Sequence, residues 1–199
     1  MDNKYFTVMF TSRNKDNKEL EGFKQRTKAF LHKRDLGADL NLTDTIEGVV
    51  LELKEEFLYF VDQGVRGETS RMYVSINPRN TDKANMDLVH YLIDNPNTSP
   101  NNVYNKLVSF ASKKENALSQ RWLFDIDTDN EEEFNSVLDS IKYYGKFNES
   151  SLTLSRTVNG YAIVVPHGFD SRKVLEEYEF VELKRDGDVL GKYKQLRIQ

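Results

Sequence analysis

At 199 residues, with 38% apolar and 12% aromatic side chains and no cysteine, the chain is long enough to bury a real core, and disulfides, thiolate metal sites and cysteine nucleophiles are excluded. Its 28 Lys and Arg against 32 Asp and Glu give a net charge of −4, which argues against a uniformly basic nucleic-acid-coating surface but not against a local basic groove. No apolar run approaches the ~20 residues of a membrane span, and the N-terminus lacks a signal-peptide layout, so a cytoplasmic protein with no membrane partner is expected. Acidic residues gather at 125–133 and 176–188, and basic ones at 13–34 and 66–83. This segregation suits a site with opposed acidic and basic walls.

Tyr5 to Phe10 reads as an opening strand. The spacing of Leu20, Phe23, Thr27, Phe30 and Leu31 predicts a helix over 18–34. Residues 46–62 read either as one helix or as strand pieces, and a helix followed by a strand is expected. Arg71 to Asn77 is β-branched and aromatic and stops at Pro78, which predicts a strand. Helices follow over 82–94, stopped by the turn chemistry of Asn95 to Pro100, and over 100–118. The run Arg121 to Asp127 predicts a buried strand, and Asp129-Asn130 caps a helix whose first turn holds Glu131, Glu132 and Glu133, with Gly145 to end it. Two β runs, 152–157 and 161–165, flank Asn159-Gly160, a strong hairpin signal. A short helix at 171–178 and a hairpin of 180–184 with 189–198 around Asp186-Gly187 complete the pattern. Strands interleaved with helices but joined by hairpins predict an α+β fold. One compact body over 1–199 is expected, with an N-terminal α/β module at 1–118 and a C-terminal module at 119–199.

Asp125 and Asp127 are the most informative pair. Strand alternation sends both carboxylates to one face while Phe124 and Ile126 enter the opposite layer. Two like charges held together call for a cation, and Mg²⁺ or Mn²⁺ beside a phosphate suits carboxylate oxygens. As a calcium loop the segment fails, because Asn130 replaces the glycine and Ser136 stands where a bidentate Glu is required. A DxDxT phosphatase signature fails at Asp129. Lys184-Arg185-Asp186-Gly187 matches a KxDG nucleotidyl-transferase motif, but residues 188–199 cannot build that domain and a turn explains Asp-Gly. His32 and His90 show no ligand spacing with each other. For phosphate contact the basic candidates are Arg71, Arg79, Arg156 and Lys184.

Leu123-Phe124-Asp125-Ile126-Asp127, then a helix, then Ser155-Arg156-Thr157-Val158-Asn159-Gly160-Tyr161-Ala162 resembles the catalytic half of the archaeo-eukaryotic primase superfamily, which includes phage primase-polymerases. The resemblance covers roughly 71–190. It implies a primase-like core with an RRM-like β(DxD)-α-β-β half packed with a second α/β module, and a hhhDhD motif in which Asp125 and Asp127 hold metal. It also implies a degraded S/T-x-G-x-G-x-H motif that contacts nucleotide phosphate. Thr157 and Gly160 fit that motif, with Asn159 in the turn between them, but Ala162 stands at the histidine position and a methyl group cannot reach a triphosphate. His167 replaces the imidazole only if the strand end folds back. Glu182 is the best candidate for the third acid, since Asp186 belongs to a turn. The implied function is a primase-polymerase-like protein of replication or repair, in the host cytoplasm if phage-encoded, acting on nucleotides and single-stranded nucleic acid beside a replication protein. The first alternative is a catalytically inactive primase-fold module that binds nucleic acid or a protein. The second is a DxD-dependent glycosyl- or phosphotransfer enzyme.

Overall fold

The structure, a computed structural model, describes residues 2–36 and 42–196. The fold is α+β, with two antiparallel four-stranded sheets and six α-helices among the described residues. The chain divides into two compact units, Met1–Leu118 with Leu190–Gln199, and Ser119–Val189. No helix among the described residues is long and apolar enough to cross a membrane.

In the first unit β1 (Asp2–Ser12) pairs along its whole length with β2 (Arg26–Leu36), and β3 (Thr69–Ser75) pairs with the other edge of β1. The fourth strand, β8 (Asp188–Gln195), joins beside β3. Phe6, Val8 and Phe10 of β1 and Met72 and Val74 of β3 bury one sheet face. Against it lie Val49 from α1 (Leu42–Glu52) and Phe57, Phe60 and Val61 from α2 (Lys54–Asp62). Two further helices, α3 (Thr81–Asp94) and α4 (Pro100–Ala111), pack on each other. Asn80 caps α3, its side chain accepting from Lys83 N–H at 3.0 Å.

Four sequence expectations are corrected. The helix expected over 18–34 is instead a 3-10 turn at Asn14–Asp16 followed by β2. Val8 opposite Phe30 and Phe10 opposite Lys28 show why: an eleven-residue ladder with β1 overrides helical spacing, and sends Phe30 to the core face while Leu31 goes to the other. The strand expected after 46–53 is α2. Phe57, Phe60 and Val61 are buried at i, i+3 and i+4, whereas a strand would bury Tyr59, which is 69% exposed. The helix over 100–118 ends at Ala111, and a 3-10 turn at Lys114–Asn116 follows. No hairpin forms around Asp186-Gly187. β8 pairs in the first sheet, so residues 190–199 belong to the first unit rather than to the C-terminal module.

The second unit runs β4 (Trp122–Ile126), α5 (Glu131–Gly145), β5 (Thr153–Arg156), β6 (Tyr161–Val165), α6 (Arg172–Glu177), β7 (Val181–Lys184). Its sheet order is β5-β6-β4-β7, with every neighbour antiparallel. A β-α-β-β-α-β chain with this order is the split β-α-β arrangement. Phe124, Ile126, Ile163 and Val165 cover one face and meet Phe134, Val137, Leu138 and Ile141 of α5 and Val174 of α6. Asn130 caps α5, its side chain accepting from Glu132 N–H at 2.9 Å. The left-handed C-terminal residue is Lys146 (φ 55°), one place after the glycine expected to end the helix.

Candidate functional site

The central strand β4 turns Phe124 and Ile126 toward the helices, so Leu123 and Asp125 take the other face. Register then fixes a row across all four strands. Ser155 stands opposite Ala162, Ala162 opposite Asp125, and Asp125 opposite Glu182. Directly opposed like charges destabilise a ladder. Lys184, two residues beyond Glu182 on the same face, relieves this pair. Its Nζ donates to Asp125 Oδ2 at 2.6 Å and lies 3.2 Å from Glu182 Oε2. Burial pulls the Lys184 amino group down, but the hydrogen bond and charge of Asp125, joined by those of Glu182, outweigh it and hold the group above the ordinary lysine value. Asp125 and Lys184 are half-buried, whereas Glu182 is exposed.

Asp127 lies one residue past β4 and is exposed, its backbone N–H donating to Phe180 O at 3.0 Å. The segment around it is tightly held. Thr128 Oγ1 pairs with a Glu133 carboxylate oxygen and accepts from Asn130 N–H at 3.1 Å. Arg156 donates to Asp129 Oδ1 at 2.7 Å and lies over the Tyr161 ring at 4.2 Å, and that ring stacks on Phe134 at 4.1 Å. The turn after β5 closes with Thr157 N–H donating to Gly160 O at 2.8 Å, leaving Asn159 exposed at its tip. Gly160 presses on the main chain beside Asp127: a Cβ there would stand 2.0 Å from Ile126 O and 2.9 Å from Thr128 N. This close approach explains the glycine without reference to phosphate.

The structure therefore brings Asp125, Glu182 and Lys184 together, and sets Arg156, Thr157, Asn159 and Gly160 at the turn beside Asp127. Arg79 is a buried residue of the first unit, 3% exposed, whose N–H donates to Tyr5 O at 2.7 Å. Arg71, also in that unit, is buried in an ion pair with Asp16. His167 does not stand in for Ala162. Its ring packs on Phe147 at 5.0 Å, and Phe147 belongs to the helix-covered core, on the side away from Asp125.

For Mg²⁺ or Mn²⁺ the donor set as built is a poor fit. Asp125 Oδ2 already carries an ammonium that an ion would have to displace, and among the described residues no three His, Cys, Asp or Glu side chains come together. Two participants lay outside the sequence expectation. Ser155 completes the row, its Oγ buried without a hydrogen-bond partner, and Asp129 engages the Arg156 guanidinium expected on phosphate. Alternation along 155–157 carries the signal for Ser155, since it shares the face of Thr157. Comparison with models of known protein families, with curated proteins and with solved structures returns no match to this chain.

Proposed function

We propose that this protein is a primase-like module that binds nucleotides or single-stranded nucleic acid without polymerising them. The observation that carries the reading is the Lys184 bridge between Asp125 and Glu182, next to Ala162. The groups that would grip metal and triphosphate satisfy one another instead, and the imidazole position holds a methyl group. The strand order β5-β6-β4-β7, with the DxD strand central and Glu182 on its neighbour, supports an RRM-like half within a primase-like core. Four-stranded sheets of that kind take single strands by stacking and by polar contacts; the Asp125 face here carries no aromatic side chain, so polar contacts have to serve. On a chain of net −4, Lys184 on the Asp125 face and Arg156 on the helix-side face at the opposite edge of the sheet are two separate positive groups, each paired with carboxylates that a phosphate would have to compete with.

Fluorescence anisotropy with labelled DNA and RNA oligonucleotides, over a range of salt, tests the reading together with primer extension in Mg²⁺ or Mn²⁺. Saturable, salt-sensitive binding without extension is expected, weakened in a Lys184→Ala/Arg156→Ala variant. Absence of saturable binding to either nucleic acid refutes it. Metal-dependent nucleotidyl transfer is the second reading, favoured by Glu182 standing directly opposite Asp125. It requires an ion to displace Lys184, and extension that disappears in Asp125→Asn would select it. A replication protein is the partner either reading implies. No observation favours glycosyl or phosphoryl transfer.

A further inference from the structure

We propose that the free edge of β8, together with the apolar hollow between it and α1, takes an extended peptide as an added strand, one that presents an apolar side chain flanked by acidic residues. The inference goes beyond the nucleic-acid reading, and every residue it uses belongs to the first unit.

β8 is the last strand of the β2-β1-β3-β8 sheet and, among the described strands, pairs with β3 alone. Its other side is therefore a row of main-chain N–H and C=O groups without a ladder partner. Beside that edge lies a hollow of about 230 Å³, lined by Ile46, Val50 and Leu51 of α1 and by Gly191 of β8. A Cβ at Gly191 would stand 2.7 Å from Val50 Cγ2, which shows that this strand position faces α1. Leu51 is 73% exposed although it lines the hollow, so a partner that covers it gains apolar burial.

The volume decides the class of occupant. Small-molecule sites begin at ~300 Å³ and enclose most of their ligand, whereas this open and smaller hollow suits roughly one or two aliphatic side chains. A strand edge beside an apolar hollow is what β-strand addition uses: main-chain hydrogen bonds give the peptide affinity, and pockets for alternate side chains give specificity. Charge then selects the peptide. Lys54 and Lys192 line the hollow with Glu47, two ammonium groups against one carboxylate, and none of the three forms an ion pair among the described residues. A second copy of β8 is the poorer occupant, because it brings Lys192 and Lys194 to the same edge while its Asp188 is already engaged. Acidic residues beside the apolar one complement these lysines.

The test uses the full chain and labelled peptides: the alternating Ser-Glu-Leu-Glu-Val-Glu-Ser, its shuffled form Ser-Glu-Glu-Glu-Leu-Val-Ser, and the lysine form Ser-Lys-Leu-Lys-Val-Lys-Ser. Anisotropy is expected to show saturable binding of the alternating peptide and at least roughly tenfold weaker binding of the other two, the scale of a few cross-strand charge pairs and one apolar contact. In Lys192→Glu/Lys194→Glu the preference is expected to pass to the lysine form, and Leu51→Asp is expected to weaken the alternating peptide. Hydrogen exchange supplies a readout that unspecific charge attraction does not move: amides within 190–194 should slow when the alternating peptide binds. No saturable binding of that peptide at millimolar concentration, equal affinity for the shuffled form, or unchanged exchange within 190–194 would each overturn the proposal. A dimer in sedimentation velocity whose formation slows the same amides assigns the edge to a second copy and overturns it as well. If the double variant does not fold, the order of the three peptides on the wild type and the exchange data decide.

Discussion

Replacing Gly160 with alanine is the sharpest test of how the segment bearing Asp127 is held. The added Cβ would meet Ile126 O at 2.0 Å and both Thr128 N and Thr128 O at 2.9 Å. All three are main-chain atoms, so no side-chain rotation opens space. Carbon contacts are comfortable only near ~3.5 Å, and the turn or the β4 exit must therefore give by more than about 1 Å. Overpacking of this kind costs about 1–3 kcal/mol, and with rigid obstacles the upper end, about 3 kcal/mol, is expected. Gly187→Ala is the control within the same unit. Its Cβ would find Lys184 Cβ at 3.4 Å and Leu123 Cδ2 at 3.6 Å, ordinary contact, so less than about 0.5 kcal/mol is expected. Trp122 is the only tryptophan and lies in β4, which makes its fluorescence during urea unfolding a direct report on this unit. Stabilities of the two variants agreeing within about 0.5 kcal/mol would refute the close-approach argument.

In the first unit, burial alone would raise the carboxyls of Asp16 and Glu68. Arg13 and Arg71 outweigh it at Asp16, and Ser12, Arg26 and the Val65 N–H do so at Glu68, leaving both below their ordinary values. Groups depressed in the folded state contribute stability that is complete above the unfolded value near ~4 and is lost as pH falls through the folded one. Urea midpoints should accordingly fall between pH ~5 and ~2, and Asp16→Asn should flatten that fall; an unchanged slope would contradict the ion-pair account. Asn130→Ala removes the cap of α5 and is expected to cost about 0.5–2 kcal/mol, read by Trp122 fluorescence in urea, with Asn148→Ala, a residue that makes no side-chain cap bond, as the neutral comparison.

The second unit was legible in the sequence because each element announces its own ends. Asn130 with three acids opens α5, the Asn159-Gly160 turn separates β5 from β6, and Phe134, Val137, Leu138 and Ile141 keep helical spacing toward one core. The first unit was less so, since its β2 depends on a partner strand that spacing within 18–34 does not reveal. Phe57, Phe60 and Val61 fit a helix as well as a strand until Tyr59 is seen in solvent. At the site, the face shared by Asp125 and Glu182 follows from alternation. The ion pair does not: which cation reaches Asp125 depends on the register of β7 against β4, and that pairing is set by the whole sheet.

The pairing of β8 within the first sheet makes Ser119–Val189 an insert, with the host's sequence split on either side of it. Synthesis from the N-terminus therefore delivers the whole guest before the host receives its last strand. A fragment ending at Leu118 leaves β3 with a bare edge, exposing hydrogen-bonding groups that invite pairing between copies. The excised guest carries all four strands of its own sheet, which makes 119–189 the better piece for isolated expression.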